Sequence, residues 1–186
     1  MEQLLRWDTE LFLALNNLGR ESWDSFWLAL SETATWIPLY ALLLFLLFRT
    51  LSLKVFGLTV LLIVLNTFLT DQGSVQLFKE QFQRLRPCHV EALLEKMRLV
   101  KEGCGGKFGF VSSHAANTFG LAVLAGNILK LKYRFALVGL LLWATLVSFS
   151  RIYLGVHYPL DILCGGIFGA LCGGLVLLIF KKINKA

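Results

Sequence analysis

Three short clusters hold the residues most able to do chemistry. The first runs from Lys79 to Arg86 and Pro87. Two helical turns would project Lys79 and Arg86 from one face, roughly 10 Å apart along the axis, close enough for long side chains to share an anion. Pro87 marks the expected helix end. The second cluster is Ser112, Ser113 and His114, at the head of an apolar run. Ser112 suits an N-cap, and free N–H groups at a helix start bind anions. The third holds Ser150, Arg151, His157, Pro159 and Asp161. His157 and Asp161 are four apart, so a helix starting near Tyr158 turns the carboxylate toward the imidazole. A carboxylate on one ring nitrogen fixes the tautomer and leaves the other free to attack.

Each cluster has a plainer reading on its own: snorkelling cations at a helix end, a polar surface histidine, an ordinary His–Asp pair. The elements that must position them decide between the readings. Apolar runs occur at roughly 22–33, 35–49, 54–78, 112–130, 134–152 and 158–181, and a bilayer crossing takes ~20 residues. The chain is 56% hydrophobic and 16% charged, with mean hydropathy +0.68. That surplus exceeds what one small soluble core can hide, which disfavours a soluble helical bundle. The expected fold is all-α: a polytopic transmembrane bundle of five to six membrane helices. Residues 22–33 are either the sixth crossing or an interfacial segment. Residues 1–20 read as an amphipathic interfacial helix rather than a cleavable leader. Residues 1–186 form a single membrane domain on this reading, with the chemistry confined to 79–161.

In that arrangement every cluster falls at the same end of the bundle. Two histidines, three cations, a carboxylate and a helix N-terminus together suffice for phosphoryl transfer. The net charge of +6 belongs to topology, anionic headgroups and phosphate, not to nucleic acid. Arg49 and Lys54, then Lys130, Lys132 and Arg134, then Lys181, Lys182 and Lys185 mark the opposite, cytoplasmic end. The segment 79–111 is also basic, as a phosphate site requires.

These residues resemble the type 2 phosphatidic acid phosphatase (PAP2) superfamily, whose pattern is K-x6-R-P, then P-S-G-H, then S-R-x5-H-x3-D. Lys79, Arg86 and Pro87 meet the first motif; Ser150, Arg151, His157 and Asp161 meet the third. The second departs, with Val111 and Ser113 where the family has Pro and Gly. The match spans roughly residues 50–181. The resemblance implies a membrane lipid phosphatase in which His157 becomes phosphorylated, Asp161 orients it and His114 protonates the leaving oxygen. It also implies that Lys79, Arg86, Arg151, Ser112 and Ser113 hold phosphate. It implies no cofactor and no metal, and the sequence has neither a Mg²⁺-type carboxylate cluster nor zinc spacing.

Expected substrates are an isoprenoid diphosphate such as undecaprenyl diphosphate, phosphatidylglycerophosphate, phosphatidic acid or a phosphorylated glycolipid of the lipid A type. Transfer between lipids and non-catalytic binding of anionic lipid are the alternatives. The site is expected to face the periplasm or exterior from the cytoplasmic membrane. The chain is a monomer or a homo-oligomer. Cys88 and Cys104 share the outward segment, where a disulfide is permitted, and are expected to pair. Gly165, Gly169 and Gly173 repeat every four residues, for close packing within the bundle or for dimerisation.

Overall fold

The computed structural model describes residues 2–101 and 103–184; Lys185 of the basic tail lies outside the described residues. Among the described residues every regular element is helical, apart from one isolated bridge between Leu85 and Phe108. Helix α1 is Glu2–Asn16, α2 Asp24–Ser31, α3 Ile37–Thr50 and α4 Leu53–Gly73. A π-turn, Ser74–Lys79, carries α4 into the one-turn α5, Glu80–Phe82. A loop segment holding the short α6, Glu91–Leu94, then leads to α7 (Ser113–Leu129), α8 (Ala136–Tyr153) and α9 (Pro159–Ile183).

Four of these stretches are long and apolar enough to cross a membrane: 33–50, 53–82, 136–153 and 159–183. Helix α2 has eight residues, which cover about 12 Å, less than half the ~30 Å hydrocarbon core. Outward-facing Phe45, Phe68, Leu142, Leu171 and Leu178 are exposed, the pattern of a surface whose solvent is lipid. The inner core joins Leu47, Leu62, Leu124, Leu129, Val147 and Phe180. A second cluster at the site end joins Phe12 of α1 to Cys88, Met97, Leu154 and Val156.

Helices α7 and α9 make the closest pair. A Cβ on Gly165 would stand 2.6 Å from the Ser112 carbonyl oxygen, and the backbone of α7 at Ala116 and Gly120 presses on Gly169 and Gly173. The glycine repeat is therefore spent on packing within the bundle. At the end away from the site, the Lys132 ammonium donates to the Arg49 carbonyl at 3.0 Å. This ties the last turn of α3 to the α7–α8 connection, and α9 ends on the same side.

Candidate active site

The third cluster is built by a tight turn. Helix α8 delivers Arg151, and Gly155 at φ +80° reverses the chain. A side chain there would strike Met97 and the Arg98 carbonyl, so glycine is required twice over. His157 follows, and Pro159 opens α9. One turn in, Asp161 Oδ2 meets His157 Nδ1 at 3.3 Å and accepts from the Tyr158 amide at 3.0 Å. Both side chains are almost wholly buried.

The second cluster lies directly against this one. The Ser112 amide donates to the Asp161 carbonyl at 2.9 Å, so the starts of α7 and α9 are bonded backbone to backbone. Ser112 caps α7, accepting from the Ala115 amide at 3.5 Å, which leaves its hydroxyl proton free to donate. The first N–H groups of the helix, at Ser113 and His114, have no carbonyl one turn before them. Ser113 Oγ lies 2.6 Å from both Lys79 Nζ and Ser74 Oγ. The serine that replaces the family glycine thus anchors the first motif's lysine.

The first cluster differs from the sequence expectation. Lys79 and Arg86 do not share a helix face. The helix stops at Phe82 because Gln83 adopts a left-handed conformation at φ 47°. The chain then runs extended, and the Arg86 amide donates to the Lys107 carbonyl at 3.2 Å. Lys79 is placed by the π-turn, a device common at functional sites. Arg86 is placed by the Gly-rich segment, whose Cys104 and Phe108 carbonyls each accept from its guanidinium at 3.3 Å. That segment clasps an arginine. A Cys88–Cys104 disulfide staples it beside Arg86.

The groups converge. Burial holds the His157 imidazole well below its ordinary value of 6.5, and the positive charges of Arg86, Arg151 and Lys79 push the same way. His114 in turn lies within electrostatic reach of Arg151, His157 and Arg86. Arg151 is buried and donates to the Ser31 hydroxyl at the end of α2. Below His114 opens a cavity of about 370 Å³ lined by Trp36, Leu43, Leu47, Ile63, Leu121 and Val147 among others. It is largely apolar, with Thr67, Asn117 and Thr118 at its wall.

Three contributors escaped the sequence reading: Ser31, Asp8 and Arg84. Arg84 donates to Asp161 Oδ1 at 3.0 Å and to Asp8 Oδ2 at 2.6 Å. A serine at a helix end and an arginine two places before Arg86 carry no signal of their own. Asp8 was hidden among the polar positions of an amphipathic helix. His89, by contrast, is an exposed loop residue.

The chain is similar in sequence and fold to known proteins. The family model described as PAP2 superfamily matches residues 56–185. A lipid A 4'-phosphatase of Bacteroides thetaiotaomicron is 36% identical over 178 residues, covering 95% of this chain and 78% of that protein. The crystal structure of Aquifex aeolicus LpxE superposes with TM-score 0.64 at 28% identity, over 91% of this chain and 93% of that one. A PAP2-type phosphatidylglycerolphosphate phosphatase from Bacillus subtilis shares the fold with TM-score 0.73 at 21% identity, over 98% and 89% of the two chains.

Proposed function

This chain belongs to the PAP2 superfamily and is a metal-independent membrane lipid phosphatase, and from that premise we propose a route, a substrate and a membrane orientation. His157 is the nucleophile. Its Nδ1 is engaged by Asp161, so the lone pair on Nε2 attacks phosphorus in line. The bond to the lipid oxygen breaks, and His114 gives that oxygen its proton. Water then attacks the phosphohistidine, His114 takes up the water's proton, and phosphate leaves as the N–P bond breaks. Lys79, Arg86, Arg151, the Ser112 and Ser113 hydroxyls and the first N–H groups of α7 hold the phosphoryl oxygens. Preorganised charge of this kind supplies roughly several kcal/mol of transition-state stabilisation.

The substrate we favour is a phosphomonoester of a lipid A-type glycolipid. The similarity to the Bacteroides thetaiotaomicron lipid A 4'-phosphatase over nearly the whole chain supports it. The apolar cavity beside His114 suits one hydrocarbon chain of such a lipid. The observation that carries the reading is the buried His157–Asp161 pair under the field of three cations.

Five helices cross the bilayer in this reading: α3, α4 with its extension, α7, α8 and α9. Helix α2 is too short, and α1 lies in the outer interface with Leu4, Trp7 and Leu11 toward lipid. The basic connections at 49–54 and 130–134 and the end of α9 face the cytoplasm, so the site faces the periplasmic or outer side. The test is phosphate release from purified lipid A, phosphatidic acid, phosphatidylglycerophosphate and undecaprenyl diphosphate, beside the His157→Ala variant. Release from lipid A that vanishes in the variant is expected. Release that survives the variant removes the nucleophile, and preference for another lipid removes the substrate.

A further inference from the structure

We propose that Arg84 and Asp8 are positioning residues for the catalytic pair, linked in one relay from helix α1 through Arg84 to Asp161 and the His157 ring. The proposal rests on the reading of His157 as nucleophile. Asp8 lies outside the three motifs and Arg84 at an unspecified position within the first, and both are remote in sequence from Asp161.

The geometry is specific. The Arg84 guanidinium reaches Asp161 Oδ1 with Nη1 at 3.0 Å and Asp8 Oδ2 with Nη2 at 2.6 Å. Its Cζ lies 3.9 Å from the centroid of the Tyr158 ring, a cation–π contact on a third side. Asp8 Oδ1 accepts from the Leu160 amide at 2.9 Å, in the first turn of the helix that carries Asp161. Asp161 Oδ2 is then left for His157 and the Tyr158 amide. All four carboxylate oxygens are engaged. The Arg84 backbone is itself held, its carbonyl accepting from the Gly109 amide at 2.8 Å.

Charge balance gives the relay its function. Asp8 and Asp161 are both buried, 4% and 0% exposed. One guanidinium sits between them. Two buried carboxylates without that cation repel each other, and Asp161 loses the contact that aims its second oxygen at the imidazole. A lysine supplies the charge but not the fork, so it satisfies one carboxylate at a time.

The test uses the full chain purified in detergent, with phosphate release from one lipid phosphate as readout. Arg84→Gln is expected to lower kcat by at least about tenfold, the usual cost of losing a partner that orients a functional histidine. KM should stay within about twofold, because Arg84 does not touch the phosphate in this reading. Asp8→Asn should cost less. The Arg84→Gln/Asp8→Asn double variant should recover at least about threefold in kcat over Arg84→Gln alone, because one of the two facing carboxylates is gone.

A simple structural brace predicts losses that add, so a double variant no better than Arg84→Gln overturns the relay. So does a wild-type kcat in Arg84→Gln, or a loss confined to KM. If Arg84→Gln does not fold, by size exclusion and thermal unfolding, Arg84→Lys takes its place. Its kcat should fall with KM held, and an unchanged kcat overturns the relay. Activity retained in His157→Ala would instead sink the nucleophile reading, so the two failures are separable.

Discussion

His157 keeps its lone pair through burial among cations, and this has measurable consequences at the scale of single residues. His157→Ala should lower phosphate release by at least about 10⁴-fold, as loss of a covalent nucleophile does. His114→Ala should come close to that. Arg151→Lys should cost on the order of 10²-fold, since a point charge replaces a fork already held by Ser31. Vanadate should inhibit and EDTA should not. Because the folded His157 stays neutral below 6.5, its protonation should not set an acid limb of activity near that pH. The unfolded chain does take up that proton, so the same group destabilises the fold as pH falls below 6.5, by up to ~1.4 kcal/mol per unit. Thermal unfolding from pH 7 to 5 checks the sign. The spacings of Lys79, Arg86, His114, Arg151, His157 and Asp161 made these six residues legible in sequence. Asp8, Ser31 and Arg84 were not, because their partners lie 152, 120 and 77 residues away and no local period links them.

Among the elements, the long apolar helices followed from composition, but the path of the first motif did not. A seven-residue spacing suits two helical turns equally well whether or not a left-handed Gln83 interrupts them. The π-turn before Lys79 leaves no mark in hydropathy either. The glycine stripe yields a contrast along one helix. Gly165→Ala forces a Cβ onto the Ser112 carbonyl, whereas a Cβ on Gly174 meets open space. Gly165→Ala should therefore lower both melting temperature and activity. Gly174→Ala should be neutral or stabilise by roughly 0.5–1 kcal/mol through helix propensity. Paired thermal melts and assays separate the two. The Cys88–Cys104 bridge closes 16 residues, a constraint worth ~3 kcal/mol on the unfolded chain. Cys88→Ser with Cys104→Ser should raise KM more than it lowers kcat, because the loop carbonyls that hold Arg86 loosen.

For the whole molecule, the two ends differ in charge logic. One end holds cations around the candidate site; the other holds cations that face the cytoplasm in the proposed orientation, with the Lys132 ammonium donating to the Arg49 carbonyl. An impermeant maleimide on spheroplasts should label Lys107→Cys and spare Lys132→Cys until the membrane is opened. The reverse pattern would invert the orientation. Near its start each of α7 and α9 presents one half of the chemistry, and the Ser112 amide bonded to the Asp161 carbonyl joins the halves. That amide proton can exchange with deuterated solvent only when the two helix starts separate. Its exchange lifetime is thus a clock for how often the gap between the histidines widens, and a bound phosphate analogue spanning that gap should slow the clock.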